Sequence, residues 1–114
     1  SAKSVKGLKV VSMSRNGLSA DDMRKMGDFL RDKDPSVAAL LASVNDGKIT
    51  FLAVCGKEAV AKGVKAGDII KAIAPICGGK GGGKPDSAMG GGSDLLKLDD
   101  ALAALDDFVN EKAK

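Results

Sequence analysis

The chain has 114 residues, 44% of them hydrophobic and 29% charged, and a net charge of +3. These values predict one soluble domain with a single modest core. The sequence has no histidine, tryptophan or tyrosine, which excludes a Ser–His or Cys–His catalytic pair and a mixed Cys/His zinc site within it. No apolar run approaches the roughly 20 residues of a membrane-spanning helix.

The first elements in chain order are a strand and a helix. Residues 1–7 are polar, and we expect them to be frayed. Residues 8–14 are typical of a strand, and an Asn-Gly turn follows them. Ser19 and Asp22 have capping-box spacing at the start of a helix, which ends before Pro35 because the residue preceding proline is pushed out of the α region.

Two further strands follow this helix. Residues 37–44 and 49–55 are short apolar runs separated by an Asp-Gly turn, which is the clearest hairpin signal in the sequence. The nearly continuous apolar character of residues 37–44 is typical of a strand covered on both faces.

The second half of the chain is mainly helical. Residues 57–62 predict a short helix, and residues 66–77 carry apolar side chains at the spacing of a buried helical face. Pro75 should distort the last turn of that second helix, and a final amphipathic helix begins at Asp94 or Lys97. The sequence therefore predicts an α/β fold, with helices packed on a small mixed β-sheet in the order β-α-β-β-α and a glycine-rich loop before the last helix.

The aromatic residues and the cysteines all lie in apolar segments. Phe29, Phe51 and Phe108 occupy positions typical of a core, which argues against a surface that stacks single-stranded bases on aromatic rings. Cys55 and Cys77 suit two buried thiols in a reducing compartment. This pattern indicates a cytoplasmic protein, with a mitochondrial location left open.

The most unusual stretch lies at residues 78–92, where eight of fifteen residues are glycine. Glycine permits positive φ and a close approach to bare backbone, and successive backbone N–H groups can form an anion site. We therefore predict a ligand-binding loop. The alternative is a flexible linker, which a glycine-rich composition also favours.

Charge is unevenly distributed and is most positive just before and within this stretch. Residues 48–84 carry a net charge of +5, whereas residues 85–114 carry −4. A basic segment that leads into a glycine-rich loop indicates a surface for a polyanion such as a nucleic acid. A solvated lysine surface without a ligand is the alternative.

Two familiar phosphate motifs do not fit. Gly78, Gly83 and Lys84 match most of a P-loop, but Pro85 stands where a serine or threonine would bind magnesium, and the stretch follows a predicted helix instead of a strand. The G-x-G-x-x-G motif of dinucleotide folds is absent from this stretch. We therefore predict no nucleotide hydrolysis, no cofactor and no metal site.

The motifs together resemble a known family. Ala66-Gly67-Asp68 at a helix start, Gly-Gly-Lys-Gly-Gly-Gly-Lys-Pro-Asp at residues 78–86 and Ala-Met-Gly-Gly at residues 88–91 are similar to the C-terminal globular domain of alanyl-tRNA synthetase. That domain belongs to the DHH-associated class, which also occurs in DHH-family phosphoesterases. The phosphoesterase branch commonly has a histidine where Lys84 stands here, so the synthetase branch fits better.

The resemblance implies that residues 1–114 are a non-catalytic, cofactor-free domain that binds the outer corner of alanine-specific tRNA and supports aminoacylation and editing. Its partners would be tRNA, other domains of a parent synthetase and, in some lineages, DNA, with no membrane. The binding residues would be Gly78, Gly79, Lys80, Gly81, Gly82, Gly83, Lys84, Asp86, Gly90 and Gly91.

Two other functions stay open at this point. The chain could be the substrate-binding C-terminal domain of a DHH-family phosphoesterase, which would place metal-ligating residues upstream of it. It could also be a general nucleic-acid or protein interaction module whose basic face is incidental.

Overall fold

A six-stranded mixed sheet forms the centre of the computed structural model, which describes residues 2–114. The strands are β1 (Ala2–Val5), β2 (Leu8–Asn16), β3 (Val37–Asn45), β4 (Lys48–Cys55), β5 (Lys80–Gly83) and β6 (Ser87–Gly92). The helices are α1 (Ala20–Lys33), α2 (Lys57–Ala61), α3 (Ala66–Ile73) and α4 (Leu98–Lys112). Across the sheet the order is β1-β2-β3-β4-β6-β5, with β2 and β3 parallel and the other pairs antiparallel. The predicted α/β class is confirmed.

Helices cover the two faces of the sheet differently. On one face, α3 and α4 pack on a large core that includes Leu40, Phe51 and Leu105. On the other face, α1 packs through Met23 on a smaller cluster that includes Leu41. Strand β3 is buried on both faces along most of its length, as its continuous apolar run predicts.

The local signals for helices and turns are confirmed. The Ser19 hydroxyl accepts a hydrogen bond of 3.1 Å from the backbone N–H of Asp22, which caps the start of α1. Asp46 and Gly47 both have positive φ, so they make the tight turn between β3 and β4. Helix α3 ends at Ile73 and continues as a 3₁₀ turn over Ala74–Cys77, because Pro75 cannot donate a helical hydrogen bond.

The predicted fraying of residues 1–7 is wrong for the described residues of that segment, which start at Ala2; Ser1 lies outside them. Lys6 and Gly7 have φ of 51° and 82° and form a tight turn that pairs β1 with β2. The Lys3 ammonium lies 2.7 Å from the Asp106 carboxylate of α4, a contact that raises the pKa of Lys3. Strand pairing and this ion pair together order the segment.

The predicted glycine-rich loop is also wrong as a secondary-structure assignment. Residues 80–83 and 87–92 form the β5–β6 hairpin, which extends the sheet beyond β4. The linker alternative is therefore wrong as well. Glycine has low strand propensity, so strand propensity does not predict this hairpin, and contacts with distant parts of the chain explain its pairing.

Candidate nucleic-acid interface

The β5–β6 hairpin carries or adjoins all ten predicted site residues. Gly78 and Gly79 precede it, Lys80–Gly83 form β5, Lys84 and Asp86 lie in its turn, and Gly90 and Gly91 lie in β6. Strand β6 pairs with β4, so β5 is the outermost strand at this edge of the sheet. The predicted site is therefore one continuous surface feature held by the sheet.

Close contacts within the hairpin, with α3 and with the 3₁₀ turn account for most of the glycines in this stretch. A Cβ atom at Gly81 would lie 2.4 Å from the Cα of Gly90 and 2.7 Å from Cγ2 of Ile70. Similar backbone or core contacts under 3.0 Å would arise at a further set of glycines, namely Gly79, Gly83, Gly90 and Gly92. Gly81 and Gly90 lie against α3 and Gly92 lies against the 3₁₀ turn, whereas Gly79 and Gly83 lie against the backbone of β6.

Gly82 is different from its neighbours in β5. A Cβ atom there would meet only Lys71, at 3.4 Å from Cε and 3.9 Å from Cγ. The distal end of a lysine can move aside easily, so packing does not require glycine at this position. Gly82 leaves open space at the outer edge of β5, next to a lysine of α3.

The turn of the hairpin is fixed by backbone hydrogen bonds. The N–H of Ala66 donates to the carbonyl oxygen of Pro85 at 2.8 Å, and the N–H of Gly67 donates to that of Lys84 at 3.1 Å. On the other side, the N–H of Cys55 donates to the carbonyl oxygen of Asp86 at 3.0 Å. The start of α3 and the end of β4 therefore hold the turn in one position.

Three cations surround the outer strand. Lys80 and Lys84 are exposed at the two ends of β5, and Lys71 of α3 lies over Gly82. Within residues 2–114, none of these three ammonium groups forms an ion pair, and β5 pairs with β6 alone. The edge of the sheet thus presents unpaired cations beside a backbone edge that carries almost no side chains.

A cleft of about 770 Å³ lies beside the hairpin turn. It lies between α1, α2 and the turn, and its lining residues are Arg31, Asp32, Pro35, Cys55, Lys57, Val60, Pro85 and Asp86. The Arg31 guanidinium lies 2.9 Å from Asp28 and 3.5 Å from Asp86, which links α1 to the turn. Sequence reasoning missed the cleft because its walls come from segments far apart in the chain.

Cys55 lines the cleft beside the hairpin turn. Burial, reinforced by the carboxylates of Asp86 and Asp68, raises the pKa of the Cys55 thiol to about 12, so the thiol is not a nucleophile near neutral pH. Within the described residues, no group of three or more Cys, Asp or Glu side chains could hold a metal ion. No helix of residues 2–114 has the length and apolar character to cross a bilayer.

One of the three phenylalanines does not lie in the core, where the sequence predicts all three. Phe51 is fully buried and Phe108 is partly buried, but the side chain of Phe29 is 63% exposed on α1. The sequence predicts a core position for Phe29, yet the buried residues of α1 are Met23 and Gly27. The argument against aromatic stacking therefore does not hold for Phe29.

Comparison with known proteins assigns this architecture to a class. The DHHA1 domain model matches residues 6–111, so the chain belongs to the DHHA1 domain family. The C-Ala domain of alanyl-tRNA synthetase from Aquifex aeolicus has the same fold, with a TM-score of 0.89 and 25% identity over 96% of this chain and 98% of that one. Within the family, the chain is of the alanyl-tRNA synthetase C-terminal type.

Curated relatives agree with this assignment. The alanine–tRNA ligase of Bordetella avium is 44% identical over 98% of this chain and 13% of its own length. The alanine–tRNA ligase of Clostridioides difficile is 36% identical over 96% of this chain and 12% of its length. The chain thus spans only about an eighth of the relatives that it matches.

A phosphodiesterase specific for pGpG from Vibrio shares the fold at a TM-score of 0.56 and 11% identity, over 98% of this chain and 36% of that one. At this level of identity the similarity concerns the fold alone.

Proposed function

We propose that this chain is the tRNA-binding C-terminal domain of an alanine–tRNA ligase and that the edge of its β5–β6 hairpin binds the outer corner of the tRNA. The observation that carries the proposal is the group of three unpaired lysines, Lys71, Lys80 and Lys84, around a strand almost free of side chains. Phosphate groups can approach such a strand closely, and the lysines neutralise them at contact distance.

The proposed contact positions the RNA and does not read its sequence. Lysines and backbone N–H groups bind phosphates and sugars, which are the same at every nucleotide. Recognition then depends on the shape of the folded RNA, and the alanine identity of the tRNA is read by other domains of the parent enzyme. DNA offers the same phosphates in a different shape, so it should compete only weakly.

In this proposal the domain supports aminoacylation and editing only by holding the tRNA. The absence of histidine from the sequence and the high pKa of Cys55 support a binding role over a catalytic one. A DHH-phosphoesterase function has weaker support, because the similarity to the phosphodiesterase is limited to the fold at 11% identity. We expect no nucleotide hydrolysis and no tRNA charging by the purified 114-residue chain.

The decisive experiment compares two lysine pairs. Lys80→Glu with Lys84→Glu places negative charge at both ends of β5. The control pair, Lys112→Glu with Lys114→Glu, makes the same change of four charge units at the end of α4. This end of α4 lies at the opposite edge of the sheet, where the Lys6 ammonium donates a hydrogen bond to the carbonyl oxygen of Ala113. We expect the hairpin pair to weaken binding of an alanine-tRNA transcript by about 30-fold, since like charges would then face phosphates.

The control pair should weaken binding much less, because exposed charges separated by more than about 10 Å are screened at 0.1 M salt. For the wild-type chain, log affinity should fall linearly with log salt, with a slope of about −2 to −4 for a few phosphate contacts. Equal losses from the two pairs, in proteins with wild-type melting temperatures, would show that the hairpin is not the RNA site.

A further inference from the structure

The exposed side of α1 carries an aromatic residue between two cations. Lys25, Phe29 and Lys33 follow one another at i, i+4 spacing, so they form one row along the helix surface. We call this row the α1 ridge. Its phenylalanine is the only exposed aromatic ring in the described part of the chain, and the Lys33 ammonium lies 5.5 Å from the centre of that ring.

A shallow apolar groove runs beside the ring. Its volume is about 310 Å³, and it is lined by Met13, Lys25, Met26, Phe29 and Leu30. The methionines and Leu30 are partly buried against the core beneath, so the groove has an apolar floor and a cationic rim. The exposed ring and the apolar floor together form an apolar surface that is available to a partner.

We infer that the α1 ridge is a second RNA contact, at which an unpaired nucleobase stacks on Phe29 while Lys25 and Lys33 bind the flanking phosphates. This inference rests on the proposed tRNA-binding function and adds a separate site to it. Stacking on an aromatic ring tolerates any base, because every base has a π face. The lysines one helical turn to either side give the site the charge that suits a polyanion.

Acidic side chains also lie on α1, and two of them are paired. The carboxylates of Asp21 and Asp28 are paired with Arg24 and Arg31, and Asp22 and Asp32 are the acids of α1 without an ion pair among residues 2–114. The corresponding row on α4 is the reverse: exposed Ala103 lies between Asp99 and Asp107. The ridge is therefore a specific feature of α1.

Both RNA contacts can serve one molecule. Helix α1 packs on the sheet face that includes Met89 of β6, and Arg31 of α1 contacts Asp86 in the hairpin turn. The longest extent of the whole domain is 36 Å, so one RNA that touches the hairpin lies within reach of the ridge. The two sites would then hold the tRNA at two points and fix its orientation.

The absence of tryptophan from the sequence provides a direct test. Phe29→Trp creates a single fluorophore in the ridge, and Ala103→Trp creates one between two aspartates on α4 as a matched control. Titration with an alanine-tRNA transcript should lower the emission of Phe29→Trp saturably, in parallel with binding, and leave Ala103→Trp unchanged. Normal tRNA binding with unchanged emission of Phe29→Trp would overturn the inference.

Affinity measurements test the energetic role of the ring. Phe29→Ala should weaken tRNA binding about tenfold, as is typical for the loss of one stacked base, and Phe29→Tyr should retain wild-type affinity. Because stacking releases no counterions, Phe29→Ala should leave the salt slope unchanged, whereas Lys25→Gln with Lys33→Gln should make the slope shallower by about 1 to 2. Wild-type affinity of Phe29→Ala would contradict the inference.

The outcomes separate the two proposals. If Lys80→Glu with Lys84→Glu abolishes binding and Phe29→Ala does not weaken it, the hairpin site stands and the ridge is wrong. If the hairpin pair binds normally and Phe29→Trp is quenched, the ridge stands and the hairpin proposal is wrong. A change in Phe29→Trp emission with protein concentration alone would assign the groove to a second copy of the chain and overturn the RNA contact.

Discussion

The β3–β4 and β5–β6 hairpins belong to one sheet, but side chains stabilise the first and backbone contacts stabilise the second. In the first hairpin, paired residues such as Leu41 and Leu52 are buried between the sheet and its helices. In the second, Gly81 pairs with Gly90, and both lie directly against Ile70 of α3. A strand without side chains lets a helix lie against its backbone, but contributes little apolar area of its own.

This difference explains why the second hairpin can be both structural and functional. The glycines that let α3 pack closely also leave the outer edge of β5 almost bare between Lys80 and Lys84. Substituting most of these glycines would damage the fold and any RNA site together. Substitutions of Lys80 and Lys84 therefore test RNA binding, and substitutions of the glycines test the packing of the hairpin.

The largest effect should come from the side-chain hairpin. Phe51→Ala in β4 removes a fully buried ring from the larger core and should lower the free energy of unfolding by about 4 kcal/mol, because it leaves a cavity. Urea denaturation measures the change. Phe29→Ala is a suitable control, since its exposed ring should contribute less than about 1 kcal/mol. Comparable losses from both would contradict the burial of Phe51.

A glycine pair sharpens the comparison. Gly81→Ala forces a methyl group to within 2.4 Å of the backbone of β6 and should destabilise the domain by about 3 kcal/mol through overpacking. Gly82→Ala, one residue further along β5, meets only Lys71 at 3.4 Å and should be neutral or stabilising by about 0.5 kcal/mol. If both variants melt at the same temperature, the close contacts of Gly81 with β6 and α3 do not stabilise the hairpin.

Alkaline pH tests the junction of the two hairpins, where the backbone N–H of Cys55 donates a hydrogen bond to the carbonyl oxygen of Asp86. The thiol pKa is raised from 9.0 to about 12 in the folded state, by burial first. The unfolded chain therefore loses this proton at lower pH than the folded chain. Stability from this group is fully present below pH 9.0 and is lost progressively towards pH 12.

At pH 10, one unit above the pKa of the unfolded thiol, the free energy of unfolding should be lower by about 1.4 kcal/mol. Denaturation of the wild-type chain and of Cys55→Ala at pH 8 and pH 10 measures this loss of stability. The change seen in Cys55→Ala gives the contribution of all other titrating groups, and the excess in the wild-type chain is the contribution of Cys55. The same change in both proteins would show that Cys55 is not the titrating group.

The smallest effect should come from the ion pair at the hairpin turn. The Arg31–Asp86 distance is 3.5 Å, and the Asp86 side chain is 57% exposed, so Asp86→Asn should change the free energy of unfolding by less than about 0.5 kcal/mol. Backbone hydrogen bonds to α3 and β4 remain in this variant. A loss of several kcal/mol would instead show that the ion pair positions the turn.

The sequence by itself determined the elements whose signals are local. The Ser19 cap, the Asp46-Gly47 turn and the break at Pro75 depend on residues adjacent in the chain, and all three occur where the pattern predicts them. The apolar runs of β3 and β4 likewise predicted their burial. The position of the glycine–lysine stretch on one continuous surface also followed from the sequence, since its residues are neighbours in the chain.

Tertiary structure decided the features that depend on distant contacts. The β5–β6 hairpin forms because β4 provides a partner strand and α3 provides a surface that only glycine can approach, so strand propensity could not predict it. β1 is ordered by pairing with β2 and by Asp106, over a hundred residues away. The exposure of Phe29 also could not be predicted from the sequence. Helical periodicity identifies the apolar side of α1, but the placement of α1 on the sheet determines how far burial extends around the helix.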